Sequence, residues 1–355
     1  MRPPLAWMLP VAAALGGLLA GPGVRGTPDR PLIGLSLDTL KEERWQQDRD
    51  TFVARAEALG ARVIVQSANS DDTRQVGDVE ALISRGVDLL VIVPHNGAAM
   101  TRAVRAANEA KIPVLSYDRL ILNCRVDYYL SFDNVKVGEA QARYLTSDLL
   151  SVFPGRVLPD APPPRSAANP VRIVRIYGAP TDNNAKMFKQ GQDNVLNPLI
   201  QAGQVQVVFE DWALDWRPDV AKKIMNAAIA KVGHNFDAVL VTNDGTAGGA
   251  IQALKEEGLA GKVLVTGQDA DVAACQRILH GTQAMTVYKP VRKLANLAAE
   301  TAVALIQGRP VQPTSSVDNG ARQVPALFVD VITVNKDNLL STVVADGFHR
   351  ADEVQ

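Results

Sequence analysis

Twice along this chain, short apolar runs with no polar alternation are separated by longer stretches of helical period. The runs VDLLVIV at residues 87–93 and DAVLVT at 237–242 have the pattern of strands covered on both faces. Strands at 32–37, 62–66, 89–93 and 114–116 alternate with helices at 44–59, 75–84 and 98–110, where apolar residues recur at three- and four-residue spacing. The order then restarts, with strands at 171–177, 205–209, 238–242, 263–266 and 284–287 and helices at 186–199, 218–230, 247–257 and 272–279. Repetition of this kind commits the chain to an α/β fold of two doubly wound parallel-sheet lobes.

The N-terminus reads differently. Arg2 is followed by an apolar block at residues 5–20 and by the small residues Gly21, Gly23 and Gly26, the order of a secretory signal peptide. The block is interrupted by Pro10 and is shorter than a spanning helix requires. Cleavage near residue 26 and export to the periplasm are therefore expected. Roughly 325 residues would remain, more than a single core supports. Loss of Arg2 and Arg25 tips the near balance of 37 basic and 38 acidic groups further toward acid, and no basic field invites nucleic acid. The two cysteines, Cys124 and Cys275, stand far apart in unrelated contexts and are expected as free thiols. Residues 154–170 hold Pro159, Pro162, Pro163 and Pro164, which exclude a helix or central strand. They read as an exposed loop inserted in the second lobe.

In open α/β sheets ligands bind beyond the carboxyl ends of the strands, and polar residues crowd those positions here. Asp38, Arg44 and Trp45 follow the first strand, and Tyr117, Asp118 and Arg119 the fourth. In the second half come Asp182, Asn183 and Asn184, then Asn243 and Asp244, then Gln268 and Asp269, then Tyr288 and Lys289. Carboxylates and amides that accept, guanidinium and ammonium groups that donate, and an aromatic plane together complement a ring of hydroxyls on an apolar sugar face. Trp212 and Trp216 both stand where such a plane is needed. Any one of these Asp or Asn residues alone would read as a helix cap.

Enzyme signatures are missing. No glycine-rich phosphate loop follows the first strand, and neither G-x-S-x-G nor H-E-x-x-H occurs. His95, His234, His280 and His349 lack metal-ligand spacing and read as surface or loop residues. Asp271 reads as a helix cap, and Gly248-Gly249 as a site of close helix packing. No catalytic residue, metal or cofactor is expected.

The strings LDTLKEERWQQDRDTFVARAEALGA, QSANSDDTRQ, YDR, SFDNVKVGE, TDNNAKMF, TNDGTAGGAIQAL, GQDAD and MTVYKP resemble those of the D-xylose-binding periplasmic proteins of bacterial ABC sugar transporters. The similarity runs from about residue 33 to the terminal DGFH, and ERWQ, GQDAD and VYKP are its most specific parts. The resemblance implies the periplasmic binding protein type I fold, two lobes joined by a three-segment hinge. Crossings would fall near Asp133, Lys289 and Val324. The first lobe would then hold residues 27–132 and 289–324, and the second 133–288 and 325–355.

The resemblance also implies sugar contacts at Arg44, Asp118, Arg119, Asp182, Asn184, Trp216, Asn243, Asp269 and Lys289. The implied activity is capture of D-xylose or a similar monosaccharide by lobe closure and delivery to an ABC transporter permease, the protein acting as a monomer. A periplasmic sensor serving a chemoreceptor or sensor kinase, and a binder of ribose, arabinose or glucose, remain alternatives. A repressor core of the same fold would carry a DNA-binding helix-turn-helix where this chain carries its export segment. The departures from the family are the proline-dense insertion and Cys124, and neither meets a contact position.

Overall fold

The computed structural model describes residues 30–150 and 167–355. The stretch expected to be an export signal, residues 1–26, and most of the proline-dense insertion lie outside the described residues. The first half runs β1 (Leu32–Leu37), α1 (Glu43–Ala58), β2 (Arg62–Ser67), α2 (Asp72–Ser84), β3 (Leu89–Ile92), α3 (Thr101–Glu109), β4 (Val114–Tyr117) and β5 (Tyr128–Phe132). The second runs α4 (Asn134–Leu150), β6 (Val171–Tyr177), α5 (Asn183–Gln201), β7 (Val205–Trp212), α6 (Pro218–Val232), β8 (Ala238–Val241), α7 (Asp244–Glu256), β9 (Leu264–Val265), α8 (Val272–Leu279) and β10 (Thr286–Tyr288). The chain closes with α9 (Val291–Ile306), β11 (Ser315–Asp318), β12 (Gln323–Val329), β13 (Ile332–Val334) and α10 (Ala351–Val354).

Two sheets result. The first has the order β11-β12-β5-β4-β3-β1-β2, parallel except for β11. The second has the order β7-β6-β8-β9, all parallel. A parallel bridge from Gln268 to Val287 carries it on to β10, which pairs antiparallel with β13. β1, β3, β4 and β8 are buried along their whole length, as unbroken apolar runs with helices on both faces require. β5 escaped the sequence pattern because YYLSF is short and carries polar atoms. It is nonetheless central, lying between β4 and β12, and its Tyr129 hydroxyl donates to the Asp118 carbonyl.

The chain leaves the first sheet at Asp133, where α4 begins and packs against α5. That packing depends on two glycines. A Cβ on Gly138 would lie 2.0 Å from the Phe188 carbonyl oxygen, and one on Gly191 would lie 1.9 Å from that of Val135. The two backbones touch, and any larger side chain would push them apart. After β10 the chain returns through Lys289 and Pro290 to α9, which packs on α1.

The third crossing falls later than the expected Val324. That residue lies inside β12, paired with Val317 and followed by register with β5, so the chain leaves the first sheet only after Val329. The strand continues because Val324, Ala326 and Leu327 are buried against the first core, and exposing them would forfeit that burial. Beyond β13 the C-terminal segment returns to α8 and the start of α9, where the Glu353 carbonyl accepts from Gln276 and the Gly347 carbonyl from Arg292. Cys124 and Cys275 are both free and buried. Burial pushes their thiols up to about 11 and about 12 respectively, which keeps them unreactive. No helix among the described residues is long and apolar enough to cross a membrane.

Candidate functional site

The carboxyl ends of both sheets face one another across a cavity. It is lined by Arg44, Asp118, Arg119, Asp182, Asn184, Trp216, Asn243, Asp269 and Lys289, joined by Glu42, Trp45, Phe188 and Gln268. The structure thus brings all nine expected contact residues into one place. All nine are buried.

Several adopt backbone conformations that only a surrounding structure can impose. Asp118 has φ 59°, Trp216 φ 55° and Asp269 φ 96°, a region costing on the order of 1–3 kcal/mol for residues other than glycine. Hydrogen bonds hold the turns in place. The Asp118 N–H donates to the Leu130 carbonyl and the Asp269 N–H to that of Val287, while Ser131 Oγ donates to the Asp118 carbonyl.

Charge alternates through the cavity wall. Arg44 Nη2 donates to Asp118 Oδ2 at 2.8 Å and lies 3.2 Å from Asp48 Oδ2, and its Nη1 is 3.5 Å from Asp269 Oδ1. Arg119 reaches Asp38 at 2.6 Å through Nη1 and Asp182 at 2.8 Å through Nε. Lys289 Nζ lies 2.6 Å from Asp269 Oδ1 without making a hydrogen bond to it, so the contact is an ion pair. Burial opposes ionisation of Asp118, yet Arg44, Lys289 and Arg119 outweigh it and hold the carboxyl below its usual range. At Asp182 the balance reverses, and burial prevails over Arg119 and the Asn184 N–H to raise it. Behind Arg44, burial pushes Asp48 up to about 6 despite the arginine and the Tyr117 hydroxyl that bonds it.

The pairs Arg119–Asp182 and Arg44–Asp269 join the two sheet units, as does Asn184 Nδ2, which donates to the Asp118 carbonyl at 3.0 Å. The arrangement is the closed one. Capping and cavity lining prove compatible. Asp182 caps α5 by accepting from the Asn184 N–H, and Asn243 caps α7 by accepting from that of Thr246. Asp269 caps nothing, because α8 has Asp271 at its N-cap position, without a side-chain cap bond.

Of the two tryptophans, only Trp216 faces the cavity, where its Nε1 donates to Asp182 Oδ2 at 3.2 Å. Trp212 packs instead on Tyr177, ring centroids 4.7 Å apart, outside the cavity. Its place as the last residue of β7 turns it onto the neighbouring strand. Sequence reasoning named Trp45 and Gln268 at strand ends without making them contacts, and it missed Glu42 and Phe188. Trp45 lies 4.1 Å under the Arg44 guanidinium and 5.2 Å from that of Arg119. The available signal for Phe188 was its spacing of one helical turn from Asn184 on α5.

The Trp216 ring fits because residue 178 has no side chain. A Cβ there would lie 2.0 Å from the indole. Gly178→Ala should therefore displace the ring while sparing the strand, seen as a shifted tryptophan emission with unchanged far-ultraviolet circular dichroism. Unchanged emission would show that the ring does not depend on this gap.

A cavity with paired carboxylates and cations on its wall and three aromatic rings beside them is suited to a polyhydroxylated ring. With two doubly wound units closed over it, fold and site define a two-lobed binding protein. Residues 33–310 match the family described as periplasmic binding protein domain, and the chain belongs to that family. It is 46% identical over 322 residues to the D-xylose-binding periplasmic protein of Haemophilus influenzae, covering 91% of each chain. It is 45% identical to the D-xylose-binding periplasmic protein of Escherichia coli, over 91% of this chain and 92% of that one. Among solved structures it is similar, at a TM-score of 0.81 and 31% identity, to an ABC transporter solute binding protein from Clostridium phytofermentans with bound β-D-glucose, covering 91% of this chain and 100% of that chain. The fold is the periplasmic binding protein type I fold read from the sequence motifs.

Proposed function

We propose that this protein is an exported, non-enzymatic binding protein that captures D-xylose between its two lobes in the periplasm and delivers it to an ABC transporter permease. The observation that carries the reading is the closed cavity itself. Arg44, Asp118 and Arg119 enter it from one unit and Asp182, Asn184, Trp216, Asn243 and Asp269 from the other, with Lys289 at a crossing. Its D-xylose-binding relatives supply the choice of sugar.

The mechanism is hinge closure. In an open form each lobe presents half of the hydrogen-bonding set, and only closure lets both halves meet one sugar. Each charge-assisted hydrogen bond adds roughly 1.5–3 kcal/mol, so a missing or inverted hydroxyl leaves a buried partner unpaired and is rejected. The permease then distinguishes closed from open by shape.

Calorimetric titration of the purified protein with D-xylose, L-arabinose, D-ribose and D-glucose tests the reading. Saturable binding with D-xylose tightest supports it, and no heat from any of the four refutes it. In the same assay Trp216→Ala should weaken D-xylose binding by about 1–2 kcal/mol, because an aromatic face against the sugar C–H face is lost. Trp212→Ala should leave binding unchanged, since its ring lies on Tyr177.

A further inference from the structure

At the rim of the cavity, the short turn Leu214–Trp216 holds two successive residues in left-handed backbone, Asp215 at φ 52° and Trp216 at φ 55°. Aspartate enters this region with some ease, but a bulky tryptophan does not. The opposite lobe reaches over and grips it. Lys41 Nζ donates to the Asp215 carbonyl at 2.9 Å, and His95 Nε2 lies 3.5 Å from the Asp215 carboxylate.

The His95 ring is itself oriented. Its Nδ1 lies 2.7 Å from Asp72 Oδ1, and Asn96 bonds the other oxygen of that carboxylate. Its Nε2 is closed off from solvent and makes no hydrogen bond. With Nδ1–H given to Asp72, a neutral ring turns the bare lone pair of Nε2 toward the Asp215 carboxylate, which repels it. A protonated ring turns an N–H toward the same carboxylate and attracts it.

We propose that Asp215 is a positioning residue for Trp216: gripped from the first lobe by Lys41 and His95, it fixes the turn that presents the tryptophan to the sugar, and protonation of His95 strengthens that grip. The inference rests on the sugar-binding reading above. Because Asp215 faces the ring only when the lobes are closed, a charged ring favours the closed form through this contact, and sugar binding is tightened where histidine is charged. The added affinity is present at low pH and lost as pH rises. The charged groups facing this contact are Asp72 from α2, Lys41 from the β1–α1 loop, and Arg217 beside Asp215, which is itself held by Asp219. Arg119 lies behind the ring, on the Pro94 carbonyl.

The test is D-xylose titration at pH 6 and pH 8 on the wild type, His95→Asn and Asp215→Asn. Asparagine at 95 has no titrating ring, and asparagine at 215 tolerates the left-handed backbone while removing the charge. Wild-type affinity should be at least about threefold higher at pH 6, the scale of a partly exposed ion pair, and both variants should lose that difference. Asp48 and Asp244, pushed up to about 6 and about 7 by burial, also titrate in this window, but both variants retain them. Variants that keep the wild-type slope, or a wild type whose affinity does not change with pH, would overturn the latch alone. A wild type that binds no sugar at either pH would overturn the sugar-binding reading, and the latch with it.

Discussion

Replacing Asp118 with alanine should destabilise the protein by about 3 kcal/mol or more and abolish D-xylose binding at once. The carboxylate is 3% exposed, accepts from Arg44 and from Asn184 of the opposite lobe, and is held ionised against burial by Arg44, Lys289 and Arg119. Removing one partner of a buried pair leaves the other charge uncompensated, which costs about 3–5 kcal/mol. Arg44 retains Asp48 and Asp269, which places the loss toward the lower end.

The stability cost should also depend on pH. The folded protein holds the Asp118 carboxyl below its usual range, so the carboxylate stabilises the fold above the ordinary aspartate value, near 3.9. That contribution is lost as pH falls through the depressed folded value. Asp118→Asn should therefore be less stable than wild type at pH 7, with the gap closing below about pH 4. Parallel stability curves for the two proteins would show that Asp118 contributes shape rather than charge.

Asp269→Asn should reduce D-xylose affinity by about 2 kcal/mol and diminish the sugar-induced compaction seen by small-angle scattering. Alanine is the poorer probe here. Asp269 is the carboxylate beside the buried ammonium of Lys289, so truncation would remove the oxygen facing that ammonium as well as the charge, leave a void, and mix folding with binding. Asparagine preserves size and tolerates φ 96°, which isolates the loss of charge. Since Asp269 caps no helix, its structural part is confined to its pairing with Lys289 and Arg44. Unchanged affinity and compaction in this variant would remove Asp269 from the site.

What the sequence determined by itself was the order of strands and helices and most of the cavity wall. Both are local in origin. An apolar run without alternation must be covered on two faces, and the polar residue that ends such a run is carried to the same edge of the sheet every time. Asp118, Asp182, Asn243 and Asp269 could be named before any fold was seen because strand ends are set by chain position.

Tertiary structure decided the rest. Trp212 and Trp216 are equivalent in sequence, and only the left-handed turn at Asp215, with the space left by Gly178, sends one into the cavity and the other onto Tyr177. The strand at Tyr128–Phe132 and the late exit after Val329 depend on pairing between segments nearly two hundred residues apart. The grip of Lys41 and His95 on Asp215 joins opposite lobes. Such contacts leave no periodic trace, because they join segments that are far apart in the chain and meet only in the folded molecule.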